Sequence, residues 1–221
     1  MKTNHLHHKA TIYLETLCHA ITERPVGSEG NRHATSFFEK QILAFGWETE
    51  TSDFEAIDWQ EGGATLQAGE ESFTVLVSPY SLGCDLKARL VNASRFEELQ
   101  HLEASGKILL LHGEIAKEQL MPKNFVFYNP EEHQRIIALL EEKQPAAIIS
   151  ATGRNPALAG GVYPFPLIED GDFDIPSVYM TEEQGQRLLA YTGEAVTLKS
   201  ISRRVPAKGK LIKSQLLCQL S

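Results

Sequence analysis

Residues 106–113 read Gly-Lys-Ile-Leu-Leu-Leu-His-Gly, and this stretch decides the fold class. Its central residues, 108–111, form a continuous apolar run, which is typical of a strand buried on both faces. A second run of this kind, Ala-Ala-Ile-Ile-Ser, occupies 146–150. The apolar spacing of 130–143, which opens with a proline, predicts a helix between the two runs. Buried strands joined by helices indicate an α/β or α+β protein.

Further elements surround these two strands. A turn is expected at Gly69, and Thr181 is positioned to cap a helix. The other predicted strands are 64–66, 72–77, 87–91, 125–128, 175–180 and 195–201, and the other predicted helices are 94–104 and 182–191.

The start of the chain has a different pattern. Apolar residues recur at three- and four-residue spacing from Leu6 to Ile21 and predict a helix. A second helix is expected from a cap at Asn31 to a stop at Gly46, and 47–54 alternates like a strand. No element is predicted after the strand that ends at 201. The expected domains are 1–55, 56–203 and a divergent tail, 204–221.

Charge and composition exclude several classes of protein. The chain of 221 residues carries a net charge of −8. Nucleic-acid-binding proteins and proteins that dock on anionic membranes normally present a basic surface, so neither partner is expected.

Cysteine use and the lack of a targeting segment predict a cytoplasmic protein. The three cysteines are far apart and form no Cys-x-x-Cys pair, which favours free thiols in a reducing compartment. The N-terminal residues include no apolar segment of a secretory signal, and no stretch approaches the roughly 20 apolar residues that span a membrane.

The segment between the first two predicted helices resembles a known family. Residues 21–31 read ITERPVGSEGN, and residues 37–50 read FFEKQILAFGWETE. They resemble the opening helices and first strand of zinc aminopeptidases of metallopeptidase family twenty-eight. The matching positions are Arg24, Gly27, Ser28, Gly30 and Asn31.

The middle of the chain resembles a protease-associated domain inserted in such peptidases. The resemblance depends on three stretches: 106–113, 146–150 and 175–189. It implies an open β-barrel or sandwich flanked by helices, preceded by two helices and a strand from an incomplete peptidase domain.

The resemblance implies zinc in intact relatives, but it assigns no metal ligand here. The first ligands of the family form a His-x-Asp motif, which this sequence does not contain. We therefore expect no catalytic residue, no metal site and no cofactor in this chain, as in a truncated aminopeptidase. His112 and His133 are a candidate pair of metal ligands, but a strand end followed by a surface loop is the preferred interpretation.

One loop is the best candidate for a surface that binds substrate or a partner. The family's inserted domain leans over the active site, so the loop with Arg154, Asn155 and Tyr163 is expected to contact peptide. The acidic cluster that follows, with Asp170 and Asp172, belongs to the same surface. Its Asp-x-Asp-x-Asp spacing matches the first half of a calcium loop, but the later positions of that motif do not match.

Three functions follow as hypotheses. The first is an aminopeptidase-like chain that retains only a substrate-access or protein-interaction role. The second is a free-standing module that binds peptides or proteins. The third is an unrelated hydrolase that uses His112 and nearby acids. The apolar faces of the two N-terminal helices are expected to fold back on the second domain, to pair between copies in a self-association, or to be poorly ordered, because they would otherwise be exposed.

Overall fold

A computed structural model describes residues 2–152 and 172–216. The helices are Lys2–Leu14 (α1), Glu29–Ala44 (α2), Phe96–His101 (α3), Glu131–Lys143 (α4) and Glu182–Leu188 (α5). The strands are Glu48–Ala68 (β1), Glu71–Phe73 (β2), Leu76–Val77 (β3), Cys84–Ala93 (β4), Ile108–Leu111 (β5), Ala147–Thr152 (β6), Ser177–Thr181 (β7) and Ala195–Gln215 (β8). A π-helix at Glu15–Ala20 continues α1, and 3₁₀ turns occupy Gly113–Ala116 and Leu189–Tyr191.

The strands form a mixed sheet in the order β2-β1-β8-β4-β5-β6-β7-β3. The neighbours β4, β5, β6 and β7 are parallel, with Leu90 opposite Ile108 and Ile108 opposite Ala147. The first half of β4 pairs antiparallel with β8, and β3 closes the other edge against β7. The predicted mixed α/β class, with helices flanking a sheet, is confirmed.

Strand β5 is buried on both faces, as its apolar run predicts. Ile108 and Leu110 enter one core with residues of β6, β7 and β8. Leu109 and Leu111 enter a second core with α3 and α4. Because successive side chains of a strand point to opposite faces, one tetrapeptide contributes to both cores.

Contacts between Cα atoms divide the chain into two units, 60–204 and a unit that combines 1–59 with 205–221. Strands β1 and β8 each pass from one unit into the other. All the buried apolar residues that the structure describes lie between Leu66 and Leu198, so the first unit contains both cores.

Among the described residues, the second unit contains no buried apolar side chain. Ser28, and not the predicted Asn31, caps α2: its Oγ accepts a hydrogen bond from the backbone N–H of Asn31 at 3.1 Å. The predicted stop at Gly46 is confirmed, with φ at +81° and a hydrogen bond from its N–H to Leu43. No residue of α2 is buried, although all of that helix is described.

Three other element predictions were wrong. The separate strands predicted at 47–54 and 64–66 belong to one continuous strand, β1. Residues 125–128 are irregular, with a bend at 126–127, instead of a strand, and Val126 and Phe127 are largely exposed. The last strand continues from the predicted end at Ile201 to Gln215. Within the described part of the chain, no helix is both long and apolar enough to cross a membrane.

Candidate functional site

Only part of the predicted binding surface lies within the described residues. Asp172 is included, and its Oδ2 accepts a hydrogen bond from Asn124 Nδ2 at 2.7 Å. Arg154, Asn155, Tyr163 and Asp170 lie outside the described residues.

Arg204 anchors the chain next to Asp172. Its Nη1 donates to Asp174 Oδ1 at 2.7 Å, and its Nη2 donates to the carbonyl oxygen of Phe173. Its Nε donates to the carbonyl oxygen of Tyr80 at 2.6 Å. The Arg204 side chain is only 12% exposed, whereas that of Asp174 is 81% exposed. The bonds of Arg204 to the two carbonyl oxygens are therefore better shielded from water than its bond to Asp174, and together they hold 173–174 in place.

Lys123 adds a second positive charge to this acidic segment. Its Nζ contacts Glu141 Oε1 at 2.8 Å. The hydrogen bond to Glu141 raises the pKa of Lys123, and the negative charges of Glu141, Asp172 and Asp174 act in the same direction. The described carboxylates of the Asp-x-Asp-x-Asp cluster are therefore compensated by protein cations and an amide. This arrangement suits an anchor for a loop better than a calcium site.

His112 lies at the carboxyl end of β5, where the parallel strands of an α/β sheet commonly place functional groups. Its Nε2 is 3.3 Å from Asn92 Oδ1, and Asn92 Nδ2 donates to Thr192 Oγ1 at 3.0 Å. Burial lowers the pKa of His112, against a smaller opposing effect of Glu98 and Glu182.

Ser94, which directly follows β4, has a different partner. The Ser94 Oγ and its backbone N–H both donate to Glu98 Oε2, at 2.9 and 2.7 Å. Because Ser94 bonds to Glu98 and His112 to Asn92, these residues do not form the serine–histidine pair that nucleophilic catalysis requires.

The structure gives the two candidate metal-ligating histidines separate roles. His133 Nδ1 accepts a hydrogen bond from the backbone N–H of Met121 at 3.1 Å, whereas His112 contacts Asn92. Residues 2–152 and 172–216 contain no group of three or more His, Cys, Asp or Glu side chains that could hold a metal ion. A two-zinc centre needs about five such ligands, so the described residues do not fit one.

Sequence reasoning missed a groove between α3 and α4. Two adjoining cavities of about 220 and 330 Å³ share Phe96, Glu97 and Glu132 as lining residues. The first cavity also includes His133, Ile115 and Ile136 in its lining. The two helices are separated by β5 in the sequence, so no local pattern marks the groove.

The fold resembles that of solved zinc aminopeptidases. The structure matches a zinc aminopeptidase from Bacillus subtilis with a TM-score of 0.63 and 17% identity, over 90% of this chain and 44% of that one. An aminopeptidase from Aneurinibacillus sp. strain AM-1 matches with a TM-score of 0.59 and 18% identity, over 90% and 46% of the two chains. A peptidase M28 precursor from Shewanella amazonensis matches with a TM-score of 0.58 and 15% identity, over 91% and 48%.

These comparisons establish the fold only. The identities are low, and the chain spans about half the length of the aminopeptidases that it matches. No protein-family model matches the sequence, and no curated protein matches it.

Proposed function

We propose that this chain is the substrate-access or protein-interaction part of a zinc-aminopeptidase-like protein and does not catalyse peptide hydrolysis by itself. Residues 56–203 act as a protease-associated domain, and the two N-terminal helices with the strand after them belong to a peptidase-type domain. In an active enzyme of this type, the zinc ligands come from residues other than those described here.

One observation carries this proposal: the fold of zinc aminopeptidases extends over 90% of the chain. The donor geometry agrees with it, because His112 contacts Asn92 and His133 contacts Met121, so the two candidate ligands do not share a partner. The anchoring of Asp172 and Asp174 next to residues 153–171 supports a role for that loop in peptide contact.

An activity assay tests the catalytic half of the proposal. Purified protein is incubated with zinc or cobalt and a panel of aminoacyl-nitroanilides. We expect no turnover that a chelator abolishes. Chelator-sensitive release of nitroaniline at an enzyme-like rate would show that the ligands lie within this chain and would reject the proposal.

Peptide titration tests the binding half. Peptides with free N-termini are titrated by fluorescence against the unaltered chain, Arg154→Ala and Tyr163→Ala. We expect each variant to bind about ten-fold more weakly, as a contact residue lost from an interface would. Arg89→Ala, on β4, provides the control for a lost arginine. Equal binding by the chain and both loop variants would remove the loop from the site.

A free-standing binding module is the second candidate function. It is favoured by the position of the described core, which lies entirely in the unit of residues 60–204. A module of this kind would bind peptide stoichiometrically with no second component, whereas an access domain would need the rest of an enzyme to affect turnover.

The two N-terminal helices suggest pairing between copies. Helix α2 buries no residue, and Phe38, Leu43 and Phe45 are about half exposed. Exposed apolar patches of this size commonly mark interfaces, so we propose that two copies associate through these helices. Free thiols at Cys18 and Cys84 support a cytoplasmic location.

A further inference from the structure

The groove between α3 and α4 has an apolar floor. Ile115, Leu120 and Ile136 are buried beneath it, and the ring of Phe96 forms part of its wall. Arg135 lies over that ring, with its guanidinium carbon 4.9 Å from the ring centroid. The groove can therefore accept an apolar side chain, and its walls are fixed by packing.

The rim of the groove is acidic. Its lining includes the glutamates Glu97, Glu114, Glu118, Glu131 and Glu132. None of these five forms an ion pair with another described residue. The three basic residues of the lining are Arg95, Lys117 and Arg135, and Arg95 is already paired with Glu98 at 3.4 Å. The uncompensated charge of the groove is negative, which favours a cationic ligand.

A buried polar side chain also lines the groove. His133 is only 8% exposed, and its Nδ1 accepts a hydrogen bond from the backbone N–H of Met121. The neutral ring must then carry its proton on Nε2, because Nδ1 acts as the acceptor. Nε2 has no hydrogen-bond partner among the described residues, so its N–H remains available to donate to a ligand's carbonyl oxygen.

Apolar surface continues beyond the groove. The ring of Tyr128 packs edge-on against His133, with their centroids 6.4 Å apart. Val126 and Phe127, next to it, are 84% and 87% exposed. A groove joined to exposed apolar residues suits a peptide segment better than a small molecule.

We propose that this groove binds a basic peptide segment of a partner protein. One apolar side chain of the segment enters between Phe96 and Ile136, and its lysines or arginines contact Glu97 and Glu132. His133 Nε2 donates to a peptide carbonyl oxygen of the same segment. The proposal does not depend on the aminopeptidase function, since it needs neither a free N-terminus nor a metal.

Fluorescence anisotropy with the full chain tests the proposal. The probe is a short, N-acetylated, fluorescein-labelled peptide of lysines and leucines, and the comparison peptide has glutamates in place of the lysines. We expect the lysine peptide to bind saturably, with an affinity that falls as salt is added, and the glutamate peptide not to bind. The acetylated probe cannot be an aminopeptidase substrate, so the result is independent of the peptidase proposal.

Two variants locate the binding site. The double variant Glu97→Gln, Glu132→Gln should bind about ten-fold more weakly. Glu183→Gln with Glu194→Gln makes the same charge change away from the groove and should bind like the unaltered chain. His133→Asn keeps an acceptor for Met121, but its shorter amide has no donor at the position of Nε2, and it should bind about five-fold more weakly with unchanged circular dichroism.

Three results would overturn the proposal. The lysine peptide could fail to bind, or the glutamate peptide could bind equally well. Alternatively, the groove and control double variants could weaken binding to the same extent, which would indicate attraction to the net charge of the chain rather than to this groove.

Discussion

The guanidinium of Arg204 binds the carbonyl oxygen of Tyr80, which is one of two non-glycine residues with positive φ in the described chain. A tyrosine at φ +57° carries backbone strain, so the surrounding contacts must hold it there. Arg204 supplies one of these contacts while it also holds Phe173 and Asp174. The turn at Tyr80 and the end of the acidic loop therefore depend on the same side chain.

Replacing Arg204 should destabilise the fold. Arg204→Met leaves the carbonyl oxygens of Tyr80 and Phe173 without this donor, and we expect a loss of about 2–3 kcal/mol in the free energy of unfolding. Arg203→Met is the matched control, because that arginine makes an exposed bond to Gln60. Urea denaturation measures both. Equal losses for the two arginines would refute the anchoring role.

Self-association should depend on α2. Phe38→Ser removes an exposed apolar side chain from the proposed interface, and we expect dimer dissociation to become at least about ten-fold easier. Phe127→Ser makes the same change in the other unit and should leave the association unchanged. Light scattering over a range of concentrations gives the mass. A monomer at all concentrations for the unaltered chain would contradict the proposal.

His112 should make stability depend on pH. Burial lowers its pKa in the folded state, so the unfolded chain binds a proton more readily. The contribution of the neutral ring is present above the unfolded pKa of about 6.5 and decreases as the pH falls below it. Denaturation between neutral and acidic pH should show a steeper loss of stability for the unaltered chain than for His112→Gln. Parallel curves would contradict this assignment.

Gly185 should not tolerate a larger residue. It lies in α5, and a Cβ there would collide with the Cβ of Ala151 on β6. Although alanine favours helices by about 1 kcal/mol, we expect Gly185→Ala to cost about 1–3 kcal/mol through overpacking. Thermal unfolding measures it.

A double variant checks the reason for that cost. Ala151→Gly empties the space that the new methyl group would need, so Gly185→Ala should cost less in an Ala151→Gly background. If the two costs simply add, the contact between the two positions is not the cause.

The buried half of the fold was predictable from the sequence. The apolar run of 108–111 is typical of a strand covered on both faces, which is what the structure contains. Helix α4 begins one residue after Pro130, where the helix was predicted to begin. These elements depend on local apolar patterns, which the tertiary structure preserves.

The missed elements depend on distant residues. Strand β8 includes Pro206 and Gly209, which argue against a strand in isolation. A Cβ at Gly209 would meet the ring of Phe54, a residue about 150 positions away in sequence, and the ring would have to shift. The sequence did not predict the groove either, because α3 and α4 become neighbours only when β5 and β6 pair.

The two ends of the 60–204 unit meet. Gln60 and Arg203 are joined by a hydrogen bond of 2.7 Å, although they are far apart in sequence. When the first and last residues of a segment are adjacent in space, a gene can gain or lose the whole segment in a single insertion or deletion. A short turn can then join the residues on either side of it. Homologues that carry a tight turn at this position, in place of the whole unit, are therefore an expected product of evolution.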